Sequence, residues 1–300
     1  MVANQVEVCR LCGCNRVAPW KSRNLERSLV PEDLQITDSR YGVTLSLLQC
    51  LRCEFIFAAN EETHELTRLY TQLEDRSYED GAENRSLQMR WLLGKLQKSC
   101  PDARTLLDIG AGTGLLVREA VSSGYEAMGI EPSRWLSQIG RQSGLNILNG
   151  TLPCLELEGK AFDVVCLIDV IEHVQDPVGL LRSCITLVSA NGVLVVVTPD
   201  IGSVVARALG KRWWHLRLAH VGYFNKKNMT LALSRSGFQA VDSFRAKWFF
   251  PIDYVMDRLA FYLPVGGLVS VLKRFPRIGS RIVVLDTRDS MVIIANRAGG

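Results

Sequence analysis

The chain has 300 residues, 47% of them hydrophobic and 22% charged, which is enough for one sizeable core plus a smaller unit. Residues 1–20 lack the continuous apolar run of a signal peptide, and no stretch reaches the roughly 18 uncharged apolar residues of a spanning helix, so a cytoplasmic protein is expected. The net charge of +4 hides an asymmetry of −7 over residues 1–200 against +11 over residues 201–300. A basic last third is either a solvated face or a place where an anionic partner is met.

Two cysteine pairs open the chain, 9-CRLCGC-14 and 50-CLRCEF-55. Each sets two thiolates two residues apart in a tight turn, the spacing that lets both reach one metal ion. Cys9, Cys12, Cys50 and Cys53 then complete the sulfur tetrahedron that zinc prefers. The run 43-VTLSLLQCL-51 reads as a strand leading into the second pair. The layout is that of a small zinc ribbon with no open coordination position, hence a structural Zn2+ site; Cys14 is an alternative ligand to Cys12. Cys166 and Cys184 fall in apolar patterns and read as small buried hydrophobes.

After this unit, 83-ENRSLQMRWLLGKLQK-98 carries an apolar stripe at helical spacing. From residue 104 the chain alternates β-branched runs with helical patterns, the signature of a doubly wound α/β sheet. The strands are expected at 104–109, 125–130, 162–168 and 192–198, with helices at 113–123, 133–143 and 177–189. Gly124 suits a left-handed stop, Ser133 an N-cap, and Asp176–Pro177 an N-cap followed by proline. The expected organisation is a ribbon over 1–60, a helical linker packed on the core over 61–100, and the sheet domain over 101–300.

Ligands of such sheets bind beyond the carboxyl ends of the strands. The first strand ends there in 107-LDIGAGTGLL-116. Its glycines follow a G-x-G-x-G spacing. In a pyrophosphate site the third glycine comes later and the helix end faces a phosphate. Asp108 adds negative charge at the mouth, which suits a cationic ligand: an adenosine carrying a sulfonium and an ammonium. The second strand ends in 129-GIEPS-133, where Glu131 can accept hydrogen bonds from both ribose hydroxyls.

D-I-G-A-G-T-G, G-I-E-P-S, 162-FDVVCLIDVIEHVQDP-177 and 191-NGVLVVVTP-199, in that order, resemble the motifs of class I S-adenosylmethionine-dependent methyltransferases over roughly residues 80–245. The resemblance implies a Rossmann-like seven-stranded sheet. It also implies cofactor contacts from Asp108, Gly110, Ala111, Gly112, Thr113, Gly114, Glu131 and Pro132, and from Asp169 and Val170. Thr151 and Leu152 stand where many relatives have an adenine-binding aspartate. The stretch 169-DVIEHV-174 is also seen in ubiquinone-type O-methyltransferases, where its acids and histidine serve a divalent metal or a base; otherwise Glu172 and His173 support the cofactor loop.

The segment 211-KRWWHLRLAHVGYF-224 resembles the H-x-x-x-F loop that roofs the substrate in such enzymes. It offers His215, His220 and Tyr223 as bases or orienters, with Arg212, Trp213 and Trp214 as substrate contacts. The catalytic candidates are His220 first, then His173 and Tyr223. Residues 238–247 and 291–297 read as a closing hairpin, interrupted by an aromatic and basic insertion at about 248–285. That insertion suits a lipid-linked or otherwise amphipathic anionic acceptor, peripheral contact through 248–281 with the inner face of a membrane, a dimer contact, or extra core.

The expectation is therefore a methyltransferase using S-adenosyl-L-methionine on a small-molecule or glycan-type acceptor, at oxygen. A sugar C-methyltransferase is the near alternative, since zinc-ribbon enzymes of this layout resemble those that modify sugars. A non-catalytic cofactor-binding or assembly protein is the alternative of another class. Nucleic acid is not expected, because 168-IDVIEH-173 replaces the Asn-Pro-Pro-Tyr type of base-methylating motif.

Overall fold

The computed structural model describes residues 7–35, 40–79, 81–260, 262 and 275–299. In chain order the first elements are β1 (Val17–Lys21), β2 (Leu47–Cys50), β3 (Ile56–Ala58), α1 (Leu66–Thr71) and α2 (Ala82–Ser99). The alternating section follows as β4 (Thr105–Ile109), α3 (Leu115–Ser122), β5 (Glu126–Glu131), α4 (Arg134–Gln142), β6 (Ile147–Asn149), β7 (Phe162–Ile168), α5 (Pro177–Ile185) and β8 (Val188–Pro199). The chain closes with α6 (Val204–Leu209), β9 (Gly222–Tyr223), α7 (Lys226–Arg235), β10 (Phe238–Arg245), β11 (Trp248–Pro251), α8 (Ile252–Leu259), α9 (Pro276–Gly279), β12 (Ile282–Leu285) and β13 (Ser290–Arg297).

The central sheet has seven strands in the order β10-β13-β8-β7-β4-β5-β6. Strands β4 to β8 run parallel, whereas β13 is antiparallel to β8 and β10 antiparallel to β13. The topology switches between β4 and β7, so the turn after β4 lies where such sheets bind ligands. Alternation along the strands feeds two cores. Leu107, Ile109, Val165, Leu167, Leu194 and Val196 pack on one face, and Leu106, Val164, Cys166, Val195 and Val197 on the other. Cys166 and Cys184 are fully buried, as small hydrophobes in a dry core. The helix ends follow their local chemistry. Ser133 Oγ accepts the Leu136 N–H, Asp176 accepts the Gly179 N–H, and Gly124 takes φ +91°.

The N-terminal unit is a second sheet, ordered β1-β2-β3-β9. Its last strand comes from the far end of the chain: Ile56 pairs with Tyr223 and Phe57 with Gly222. Phe55, Phe57, Leu11 and the four paired cysteines share one core with the central sheet, where Phe55 meets Phe224 at 4.9 Å between ring centroids. Leu45, Leu47 and Ile56 pack with Trp213, Leu216, Leu218 and Val221. The ribbon thus holds the loop that leads into β9, and one continuous apolar interior joins the two.

Inside the predicted insertion, β11 and β12 form a two-stranded antiparallel ribbon followed by α8 on one side and preceded by α9 on the other. Residues 261 and 263–274 of that insertion, including Lys273 and Arg274, lie outside the described residues. Among the described residues no helix is long and apolar enough to cross a membrane.

Candidate active site

Strand β4 delivers Asp108 and then turns through Gly110, Ala111, Gly112, Thr113 and Gly114, the three glycines at φ +76°, +56° and +86°. At Gly112 a side chain is excluded twice over, by its left-handed backbone and by the Tyr78 hydroxyl, which would stand 2.3 Å from a Cβ. Glu131, at the end of β5, ties this turn to the next. One carboxylate oxygen accepts the Gly112 N–H and the other the Ser133 N–H, both at 2.8 Å. Asn149, at the end of β6, donates to the Glu131 carbonyl at 3.0 Å.

Asp108 and Glu131 are both buried, and among the described residues no cation stands beside them. Burial, with Glu131 adding to it, pushes the Asp108 carboxyl up to about 8. Burial pushes Glu131 up to about 7, against the opposing pull of the Ser133 and Gly112 amides. Two desolvated carboxyls at the ends of adjacent strands favour a positive charge beside them, which a sulfonium and an ammonium supply and a pyrophosphate does not. Pro132 is half-buried beside Glu131, Thr151 is exposed and Leu152 half-buried. Asp169 adopts φ +51°, and the following Val170 lays a methyl against Gly110.

The other candidate side chains are built on and around the turn after β7. Glu172 is buried; one of its oxygens accepts the Thr198 hydroxyl at 2.9 Å, and the other has no partner among the described residues. Burial, then Asp169, pushes its carboxyl well up. His173 Nδ1 lies 2.7 Å from the Tyr70 hydroxyl oxygen and 2.9 Å from the Ala219 carbonyl. A carbonyl only accepts, so Nδ1 is the protonated nitrogen and Nε2 the free one. His220 stands edge-on to His173 at 4.7 Å, and its Nδ1 is buried with no partner among the described residues. Donor atoms of Glu172, His173 and His220 all lie within 4.8 Å of one another, a spacing that one metal ion can bridge but that is too long for a shared proton. Burial lowers His173 to about 4 and His215 to about 3, and carries His220 well below its ordinary value. All three are neutral imidazoles near pH 7. Tyr223 Oη donates to the Arg217 carbonyl at 3.4 Å, and burial raises its pKa, which keeps it a phenol.

At the cysteines, Cys9 and Cys53 stand 3.5 Å apart, as do Cys12 and Cys50, and all four sulfurs lie within 4.8 Å of one another. Metal–sulfur bonds of about 2.3 Å require sulfurs about 3.8 Å apart in a tetrahedron, so the four fit one zinc ion after a small adjustment. The knuckles repeat one geometry: the Gly13 N–H donates to the Cys9 carbonyl and the Glu54 N–H to that of Cys50, with φ +71° and +66°. Cys14 stays outside the cluster, its sulfur accepting the Arg16 N–H.

A family model described as a methyltransferase domain matches residues 82–243. The chain belongs to the class I S-adenosylmethionine-dependent methyltransferases. Among the proteins it is similar to is the ubiquinone biosynthesis O-methyltransferase of Cereibacter sphaeroides, 36% identical over 99 residues, covering 31% of this chain and 40% of that protein. The enzyme of the same name from Rhodopseudomonas palustris is 33% identical over 129 residues, 41% of this chain and 47% of that protein. The chain thus spans less than half the length of the curated relatives it matches. A solved S-adenosylmethionine-dependent methyltransferase from Thermotoga maritima is similar at 21% identity and TM-score 0.49, covering 78% of this chain and 98% of that one.

In this chain the turn residues Asp108 to Gly114, Glu131, Asp169 and Val170 gather at one end of the sheet, with His173 and His220 beside them. Sequence reasoning missed Tyr70 and Tyr78. Both come from the linker ahead of the sheet, whose Leu73 carbonyl accepts the Ser133 hydroxyl at 2.8 Å, so this linker lies across the cofactor turn. It also missed Asp289, a fully buried carboxylate that accepts the Trp213 indole N–H at 2.9 Å. An aspartate in a turn carries no mark in sequence. Trp213 is thereby a core side chain, whereas Trp214 is half-buried against His215.

Proposed function

We propose that the whole chain catalyses methyl transfer from S-adenosylmethionine to a hydroxyl of a small-molecule or glycan-type acceptor. The observation that carries this reading is the pairing of a glycine turn flanked by two buried carboxyls with a buried, neutral His220 whose Nδ1 has no partner among the described residues. When bound, the cofactor supplies an electrophilic methyl group on a sulfonium. Gly110 to Gly114 and Asp108 hold its methionine end, and Glu131 its ribose, with Pro132, Thr151, Leu152, Asp169 and Val170 lining the rest. A hydroxyl needs a base to become a competent nucleophile, whereas a free amine does not. His220 takes that proton. His173 holds it in place, its own ring fixed by Tyr70 and Ala219, and Tyr223 orients from β9. The named relatives are O-methyltransferases, in keeping with oxygen as the site.

Cys9, Cys12, Cys50 and Cys53 hold a structural Zn2+ in this reading, and the metal fixes the ribbon that carries β9 and the roofing loop. The acceptor is anionic or lipid-linked, a reading supported by the exposed Tyr254, Leu259, Phe275, Ile278, Ile282 and Val284 beside Arg277 and Arg281. A screen of phenols, sugars and lipid-linked glycans with methyl-labelled cofactor tests the function. Label is expected on oxygen of one class, with a His220→Ala variant slowed about a hundredfold. Label on nitrogen or carbon alone, or a variant as fast as the parent, contradicts the reading.

A further inference from the structure

Beyond the residues already placed at the site, we propose that Asp289 is a positioning residue of the acceptor site, fixing His215 as the Nε2–H tautomer so that the ring under His220 is held in one orientation. The inference rests on the histidine side of the proposed function, which it deepens. Asp289 lies in the turn between β12 and β13, and its backbone is locked, since its carbonyl accepts the Asp200 N–H at 2.7 Å at the end of β8. Its carboxylate is locked as well, by the Thr287 hydroxyl on one oxygen and by the Trp213 indole N–H at 2.9 Å on the other. That second oxygen also faces His215 Nε2 at 3.6 Å, beyond a hydrogen bond and one small side-chain shift from it.

Packing explains why this matters. His215 is wedged between Trp213, at 5.0 Å and edge-on, and His220, at 5.9 Å and nearly parallel. His220 in turn meets His173 at 4.7 Å. Three imidazoles therefore run in contact from the turn after β7 to Asp289, and Arg217 is the cation whose field all three feel. A carboxylate can only accept, so an imidazole nitrogen facing it must carry the proton. The tautomer of His215 is set from Asp289, and with it the donor and acceptor pattern offered beside His220. An asparagine keeps the shape and can still accept from Trp213 through its oxygen. That same oxygen faces His215 Nε2, so asparagine keeps the acceptor, whereas leucine, of similar size, removes it from both Trp213 and His215.

The test has two arms. Nitrogen chemical shifts of labelled histidine in the parent protein and in Asp289→Asn should show His215 as the Nε2–H form, and in Asp289→Leu as a mixture with the Nδ1–H form. With an acceptor in hand, Asp289→Leu should lower kcat tenfold or more, while KM for acceptor and affinity for S-adenosylmethionine change less than about twofold. An Nδ1–H form in the parent overturns the proposal whether or not the variant folds. So does a leucine variant whose kcat is unchanged, or one that loses cofactor affinity in step with kcat. A parent with the Nε2–H form but no oxygen methylation of any acceptor leaves Asp289 in its role and removes the proposed reaction instead.

Discussion

At the scale of single residues, the proposed cofactor site is defined by what Asp108 and Glu131 lack. Both are buried, hydrogen-bonded only to backbone or to nothing charged, and held above the ordinary carboxylate range. A bound cation reverses this, because it favours the ionised form. With Asp108 at about 8 in the free protein, much of it is protonated at neutral pH. Cofactor binding then expels a proton. Affinity for S-adenosylmethionine should therefore rise as pH goes from about 6 to about 8, and calorimetry in buffers of different ionisation enthalpy should register proton release. A pH-independent affinity with no proton released would contradict this placement of Asp108.

At the scale of elements, the ribbon acts through the first knuckle. Arg10, next to Cys9, donates to the Ala58 carbonyl at 2.7 Å, to Asn60 Oδ1 at 2.9 Å and to Thr63 Oγ1 at 3.1 Å. Gln175, on the turn that bears His173, donates to the same Thr63 hydroxyl at 2.9 Å. The knuckle, the start of the linker and the acceptor turn are thus joined in one network. Arg10→Met should keep one zinc per chain by metal analysis yet lose about 2 kcal/mol in urea unfolding, the cost of stranding several buried acceptors. Loss of zinc, or no loss of stability, would show that Arg10 does not brace this junction. Much of the fold was legible in the sequence for local reasons. β7 and β8 announce themselves by apolar runs rich in valine, β4 and β5 by the 110-GAGTG-114 and 129-GIEPS-133 motifs at their ends, and α4 and α5 by Ser133 and Asp176 at their starts. β6 and β9, three and two residues long, are too short for any period to show. β9 pairs with β3 across more than 160 residues of chain, a contact that only the folded interior specifies. Tyr70 and Tyr78 were illegible for the same reason.

At the scale of the molecule, the charge asymmetry meets an asymmetry of apolar surface. Among the described residues, six of the large exposed hydrophobic side chains fall between Tyr254 and Val284, the same stretch that carries Arg258, Arg277 and Arg281. Val284 opposes Phe249 across the two-stranded ribbon, which gives that ribbon a non-polar face. Apolar insertion beside cations is the chemistry of an anionic bilayer surface. Sedimentation should therefore show binding to vesicles containing phosphatidylglycerol, weakened by salt and by Arg277→Gln with Arg281→Gln, and little binding to neutral vesicles. Equal partition to both vesicle types, or none to either, would leave this face without a membrane role.

The central claim is that the glycine turn and Glu131 form the site of S-adenosylmethionine. Titration calorimetry tests it most directly, on the parent chain and on Glu131→Gln, with circular dichroism to show that both are folded. The account predicts one cofactor per parent chain and an affinity at least about tenfold weaker in the variant, because an amide cannot accept from the Gly112 and Ser133 amides as a carboxylate does. A folded parent that binds no cofactor, or a variant that binds it equally well, would contradict the account.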